Sequence, residues 1–168
     1  AEHRVLLLER AFFPRDKACG DALGGKTLMH IEELGIDLGE ESSESFRFDA
    51  IRVTSPNGDE ACIPLPEESK EHLPNGWVLR RERFDQLMFE RASTLVLQAG
   101  GAVIQGFSVK EVMHDDGSEG PDSGFDAGDD RRVIGVRGTL RAQDGPDQQL
   151  RFTAPLTIGA GGFNCPVS

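Results

Sequence analysis

The segment Arg4 to Glu9 (RVLLLE) constrains this chain more than any other. Its apolar run is too short for a helix and does not alternate, which is the pattern of a strand buried on both faces of a parallel sheet. Such a strand points to an α/β fold. The acid that closes the run bears on chemistry as well. In dinucleotide-binding units the second strand ends in a carboxylate that accepts hydrogen bonds from ribose hydroxyls. Solvation of a strand tip also places acids there, so Glu9 by itself leaves both readings open.

The organisation that follows is strand, excursion, helix, strand. A polar stretch over residues 14–26 leads into Leu28, Ile31 and Leu34 at helical spacing, and Gly35 supplies a stop, so a short helix is expected there. Residues 46–54 alternate through Phe46, Phe48, Ile51 and Val53, and the Asn57-Gly58 turn leads into Ala61 to Leu65, which predicts a hairpin. Trp77 to Leu79 reads as another strand. Phe84, Leu87, Met88, Arg91, Ala92 and Leu95 then recur at three- and four-residue intervals, the pattern of an amphipathic helix that Gly100-Gly101 ends. Ala102 to Ile104 is a second short apolar strand of the buried kind. Phe107 to Met113, Arg132 to Val136 and Leu150 to Ala154 predict an antiparallel meander, and Leu156 to Ala160 a final apolar strand. Residues 115–130 hold seven Asp or Glu, four Gly, one Pro and no Lys or Arg, so a solvated loop is expected there.

Composition excludes several classes of function. The 168 residues carry 18 Lys and Arg against 29 Asp and Glu, a net charge of −11, and the basic residues are scattered. That leaves no electrostatic footprint for nucleic acid. No apolar run approaches the roughly 20 residues of a membrane helix. Cys19, Cys62 and Cys165 are odd in number and widely spaced, which argues against a disulfide framework and a zinc site. His3, His30, His72 and His114 are equally dispersed, so no metal site is expected. A reducing cytoplasm is the expected location. The chain begins with Ala rather than Met and opens like a fragment.

The stretch Phe13-Pro14-Arg15-Asp16-Lys17-Ala18-Cys19-Gly20-Asp21-Ala22-Leu23, taken with the strand before it, resembles flavoproteins of the geranylgeranyl reductase family, which includes bacterial menaquinone reductases. In that family this stretch wraps the flavin. The resemblance implies that Glu9 meets the adenosine ribose, that Cys19 and Gly20 lie near the isoalloxazine ring, and that Lys17, Gly20 and Ala22 belong to the cofactor site. A glycine such as Gly20 lets backbone N–H groups approach a ring or phosphate closely, and Arg15 and Lys17 supply positive potential for a diphosphate. Cys19 is the candidate for a group at the reacting face. An inert surface thiol is the competing reading.

Val78-Leu79-Arg80-Arg81-Glu82-Arg83-Phe84-Asp85-Gln86-Leu87 resembles the family's strand-to-helix signature, with an Arg three residues before Phe-Asp, and implies Arg81 at the cofactor. An Arg at a helix start opposes the helix dipole, so it makes local sense beside an anion. The alternative is that Arg80, Arg81 and Arg83 pair with Glu82, Asp85 and Glu90 on a solvated face. The meander also matches, with Val109 where family members use backbone groups on the adenine. Leu156 to Ser168 (LTIGAGGFNCPVS) resembles the turn that the family builds from Asp-Gly, a small spacer, Ser and Arg. Here Gly161 replaces the Asp, Cys165 the Ser and Ser168 the Arg, while Gly162 is retained. The carboxylate that organises the flavin and nicotinamide neighbourhood is therefore missing, which bears on reduction by a pyridine nucleotide.

The fold implied is an incomplete FAD-binding Rossmann-like α/β fold, of parallel strands plus an antiparallel β-meander, with a small piece of an antiparallel substrate-side sheet. Residues 1–44 and 80–168 would belong to the FAD-binding domain and residues 45–79 to the substrate-side hairpin. The G-x-G-x-x-G of such a unit lies roughly 20 residues before the ribose acid, so it is expected upstream of Ala1. The function implied is an FAD-dependent oxidoreductase that reduces C=C bonds of an isoprenoid lipid or a quinone tail. NAD(P)H or a ferredoxin-like protein would be the electron donor, and a polyprenyl substrate would require transient access to a membrane surface. A monooxygenase or halogenase of the same fold is the alternative. A truncated chain without independent catalysis and an acidic protein-binding module built on residues 115–130 are readings from other classes.

Overall fold

The computed structural model describes residues 3–39, 45–65, 76–120, 131–142, 145–162 and 165–167. In chain order its elements are β1 (Leu6–Glu9), β2 (Ala22–Leu23), α1 (Gly25–Glu33), β3 (Ser45–Phe48), β4 (Ala50–Thr54), β5 (Glu60–Pro64), β6 (Gly76–Leu79), α2 (Arg81–Gln98), β7 (Ala102–Gln105), β8 (Phe107–His114), β9 (Glu119–Gly120), β10 (Val133–Leu140) and β11 (Gln148–Thr153). The architecture is mixed α/β, with one parallel strand pair and antiparallel sheets. Residues 1–12 and 96–168 form one compact unit, and residues 13–95 form a second.

In the first unit the two short apolar runs pair with each other. β1 and β7 are parallel, in register from Leu6 opposite Ala102 to Glu9 opposite Gln105. β8, β10 and β11 form the expected meander, in the order β11-β10-β8-β9, with the two-residue β9 added on the edge. Phe107 and Val112 of β8, on either side of a register shift between Val109 and Glu111, build the core with Val136 of β10, and Leu8 and Ile104 pack against it. The expectation of strands buried on both faces is corrected, because Val5 and Leu6 are exposed and β1 and β7 are each other's only strand partners among the described residues. Leu156 to Ala160 is also corrected: it is not a strand. Ala154 N donates to Ile134 O at 2.9 Å, and beyond it Leu156 and Ile158 stand exposed, Ile158 at 77%. An apolar run becomes a strand only against a neighbour that takes its backbone donors and acceptors, and the described residues supply none there.

In the acidic stretch, residues 115–120 are a turn and a short strand rather than open loop, and residues 121–130 lie outside the described residues. Asp116 Oδ1 closes the turn by accepting from Ser118 N at 2.8 Å and Ser118 Oγ at 2.6 Å. Those two bonds hold the Asp116 pKa below its ordinary value.

The second unit is built on the antiparallel sheet β2-β6-β3. Leu23, Trp77 and Leu79 from that sheet meet Leu28 and Ile31 of α1 in one buried cluster, with Phe84 and Leu87 of α2 packed against it. The helical spacing read from Leu28 and Ile31 therefore has its physical cause. Gly35, at φ +65°, ends α1, and Arg91 Nε of α2 donates to the carbonyl of Leu34 at 2.7 Å. The predicted second helix is present, but its last turn leaves Leu95 and Leu97 exposed. The alternating stretch 46–54 is not one strand. It breaks at Asp49, with β3 pairing with β6 while β4 turns back through Asn57 and Gly58 onto β5. No helix among the described residues is long and apolar enough to cross a membrane.

Leu79 is 1% exposed, so Leu79→Ala is expected to cost about 2–5 kcal/mol, read from the urea midpoint at constant slope. A carboxylate with a lowered pKa contributes stability above its unfolded pKa and loses it as pH falls through the folded one. The Asp116 contribution is therefore present at neutral pH and lost below about pH 4. Ser118→Ala should move the Asp116 titration, followed by NMR, upward toward the ordinary carboxylate value.

Candidate functional site

The carboxyl end of a parallel strand is where the chain leaves the sheet and where side chains of an α/β fold meet ligands. Glu9 occupies that position on β1, half-buried and opposite Gln105. One of its oxygens, Oε1, accepts from Ala11 N at 2.7 Å. The other makes no hydrogen bond among the described residues and remains an acceptor for a hydroxyl group. Val109, in β8, lies opposite Gly138 of β10 and packs its side chain against the meander core.

Gly162 has φ +80°, as the expected tight turn requires, and Cys165 N donates to its carbonyl at 2.9 Å. Gly161, in the place of the acid expected from the resemblance, has a physical partner: a Cβ there would lie 2.9 Å from Cys165 Sγ and 3.0 Å from Cys165 Cβ. The two departures from the motif are thus one packing arrangement. Ser168 lies outside the described residues.

The second unit brings together several residues of the Arg15 to Leu23 stretch and the start of α2. Arg81 Nε and Nη2 donate to Asp85 Oδ1 at 3.0 and 2.8 Å, and Nη2 reaches Oδ2 at 3.1 Å. The spacing of Arg81 and Asp85 explains this pairing, because residues four apart stand one above the other on a helix. Arg15 Nη1 donates to Asp85 Oδ2 at 2.9 Å, so two guanidinium groups share one carboxylate. Arg15 also lies 5.1 Å over the ring of Phe13, which stacks on Phe89 with centroids 4.3 Å apart. The hydrogen bond to Asp85 raises the Arg81 pKa above its ordinary value, against the opposing effect of burial, and Cys19 adds to the rise through its charge when ionised and a hydrogen bond.

Arg81 and Asp85 are 16% and 10% exposed, so this is not the solvated face of the alternative reading; Arg80 and Glu82, at 59% and 40%, do form such a surface pair. The anion that an Arg at a helix start calls for is supplied first by the protein. Asp85 takes the guanidinium, and Asp21 Oδ1 accepts the Arg81 N–H at 3.1 Å, capping α2 from 60 residues away. Of the other expected site residues, Cys19, Lys17 and Ala22 are exposed, and the Lys17 N–H is taken by Asp16 Oδ1 at 2.7 Å. Gly20 has open space where a Cβ would stand. Asp85 was legible as a partner in the spacing of the helix, whereas no local signal announces Asp21 as a cap or Phe89 as the stacking partner of Phe13. No group of three His, Cys, Asp or Glu able to hold a metal ion occurs among the described residues.

No family model and no curated protein matches this chain. Two solved structures are similar in part. One is the myxobacterial chondrochloren halogenase CndH, a variant of the FAD-dependent halogenases, at 21% identity over 88% of this chain and 29% of that one, with a TM-score of 0.47. The other is aklavinone-11 hydroxylase in a ternary complex with FAD and aklavinone, at 21% identity over 88% of this chain and 26% of that one, with a TM-score of 0.43. The chain thus spans less than a third of the length of either structure.

Removing the shared carboxylate leaves two mostly buried guanidinium groups facing each other unneutralised. Asp85→Asn is expected to cost about 1–3 kcal/mol, with the loss reduced when Arg15→Gln is added, both read by chemical denaturation.

Proposed function

We propose that this chain is part of an FAD-dependent oxidoreductase that reduces C=C bonds of an isoprenoid lipid or a quinone tail. The observation that carries the cofactor reading is the carboxylate of Glu9. It stands at the carboxyl end of a parallel strand, with one oxygen spent on Ala11 N and the other left to accept from a ribose hydroxyl. By the family likeness, Arg15, Lys17 and Arg81 would supply positive potential for a diphosphate and Gly20 a close backbone approach to the ring. The motifs around Cys19-Gly20 and Arg81 support the family likeness on which the isoprenoid substrate rests.

When bound and reduced, the flavin supplies a hydride to one alkene carbon. The protein must hold the alkene, exclude water and deliver a proton to the other carbon. Cys19 is the residue of this chain proposed for the reacting face, and it is an exposed, free thiol.

The test is the visible spectrum of the purified chain after addition of FAD and desalting. Retained flavin absorbance is expected, with Glu9→Ala weakening FAD binding about tenfold or more, the loss of a hydrogen bond to a charged group, at unchanged circular dichroism. A wild-type chain that retains no flavin overturns the cofactor reading. If flavin is retained, incubation with a polyprenyl substrate and either NAD(P)H or a reduced ferredoxin should yield the saturated product. A hydroxylated or halogenated product would assign the monooxygenase or halogenase alternative instead.

A further inference from the structure

Within the first unit, the tip of β1 is held by a side chain that the motifs do not include. Arg141 directly follows β10, and its Nη2 donates to the carbonyl oxygen of Arg10 at 2.7 Å. Its guanidinium lies 5.4 Å over the ring of Phe12. The backbone is tied at the same place, with Arg141 N donating to Gly106 O at 3.0 Å and Gly106 N to Ala11 O at 3.3 Å. Gly106 has φ +78°, and a Cβ on it would come 2.4 Å from Phe12 Cζ, so the ring needs this glycine beneath it.

The carbonyl of Arg10 and the N–H of Ala11 belong to one planar peptide, whose two polar ends point in opposite directions. Arg141 holds the oxygen end, and Glu9 Oε1 holds the hydrogen end at 2.7 Å. A donor on the carbonyl polarises the peptide and strengthens the bond that its N–H makes. If the peptide rotated, its N–H would leave Glu9, and both carboxylate oxygens would be free to turn.

We propose that Arg141 is a positioning residue for the adenosine half of a dinucleotide cofactor, acting through the Arg10–Ala11 peptide to hold the Glu9 carboxylate with one oxygen engaged and the other presented to ribose. This rests on the cofactor reading of Glu9 given above. Arg141 is itself exposed and contributes no atom to either core cluster. Its contacts are with the strand tip and with the corner at Gly106.

The experiment is a double-mutant cycle on FAD affinity in the 168-residue chain, followed by flavin fluorescence, with FMN as a probe that lacks the adenosine. Arg141→Gln is expected to weaken FAD about tenfold while leaving FMN unchanged, and Arg141→Lys, which keeps a charged donor, should recover part of the loss. Glu9→Ala with Arg141→Gln should be no weaker than Glu9→Ala alone, because the second residue acts only through the first. Additive losses, or equal weakening of FAD and FMN, would overturn the positioning role. A wild-type chain that binds FAD no better than FMN would instead overturn the cofactor reading of Glu9 itself, and the two failures are told apart before any variant is made.

Discussion

Four residues of parallel pairing, Leu6 to Glu9 against Ala102 to Gln105, determine where the carboxylate of Glu9 stands. Side chains on a strand alternate between faces, so a slip of one residue would exchange Leu8 and Ile104, which pack on the meander core, for their outward neighbours. The hydrophobic effect thus selects the register, and the register sets which residue leaves the sheet last. Everything at that edge, from the peptide of Arg10 and Ala11 to the contacts of Arg141, is arranged around the result.

The second unit is organised by charge as well as by its apolar cluster. Asp85 joins Arg15, from the stretch after β1, to Arg81 at the start of α2, and Asp21 caps that helix from the same stretch. A segment otherwise poor in secondary structure is thereby fixed onto a helix at two points. That arrangement bears on one of the two readings of Arg81 open in the sequence, the pairing with Asp85. The residue does pair with Asp85, yet in a mostly buried setting rather than on a solvated face.

Much of this was legible in the sequence where local physics decides. Leu28 and Ile31 face a core at helical spacing, Asn57-Gly58 turns a hairpin, and the three alternating segments of the meander pair as expected. What was not legible depends on partners far away in the chain. Residues 46–54 alternate continuously, and nothing in them says that the first part pairs with β6 and the second with β5. Leu156 to Ala160 has the composition of a buried strand, but composition cannot provide the neighbouring edge that makes one. At the site, Glu9 could be singled out by its place at the end of an apolar run, whereas Arg141 could not, since 131 residues separate it from the carbonyl it holds.

The close approach of Gly161 and Cys165 has a consequence for what this turn can hold. A Cβ at 161 would stand 2.9 Å from the sulfur and 3.0 Å from the β-carbon of 165, so any larger residue there requires the Cys165 side chain to shift. Serine at 165 would keep the β-carbon and therefore part of the obstruction. The two positions are therefore coupled, and the turn answers to substitution as a pair rather than one residue at a time.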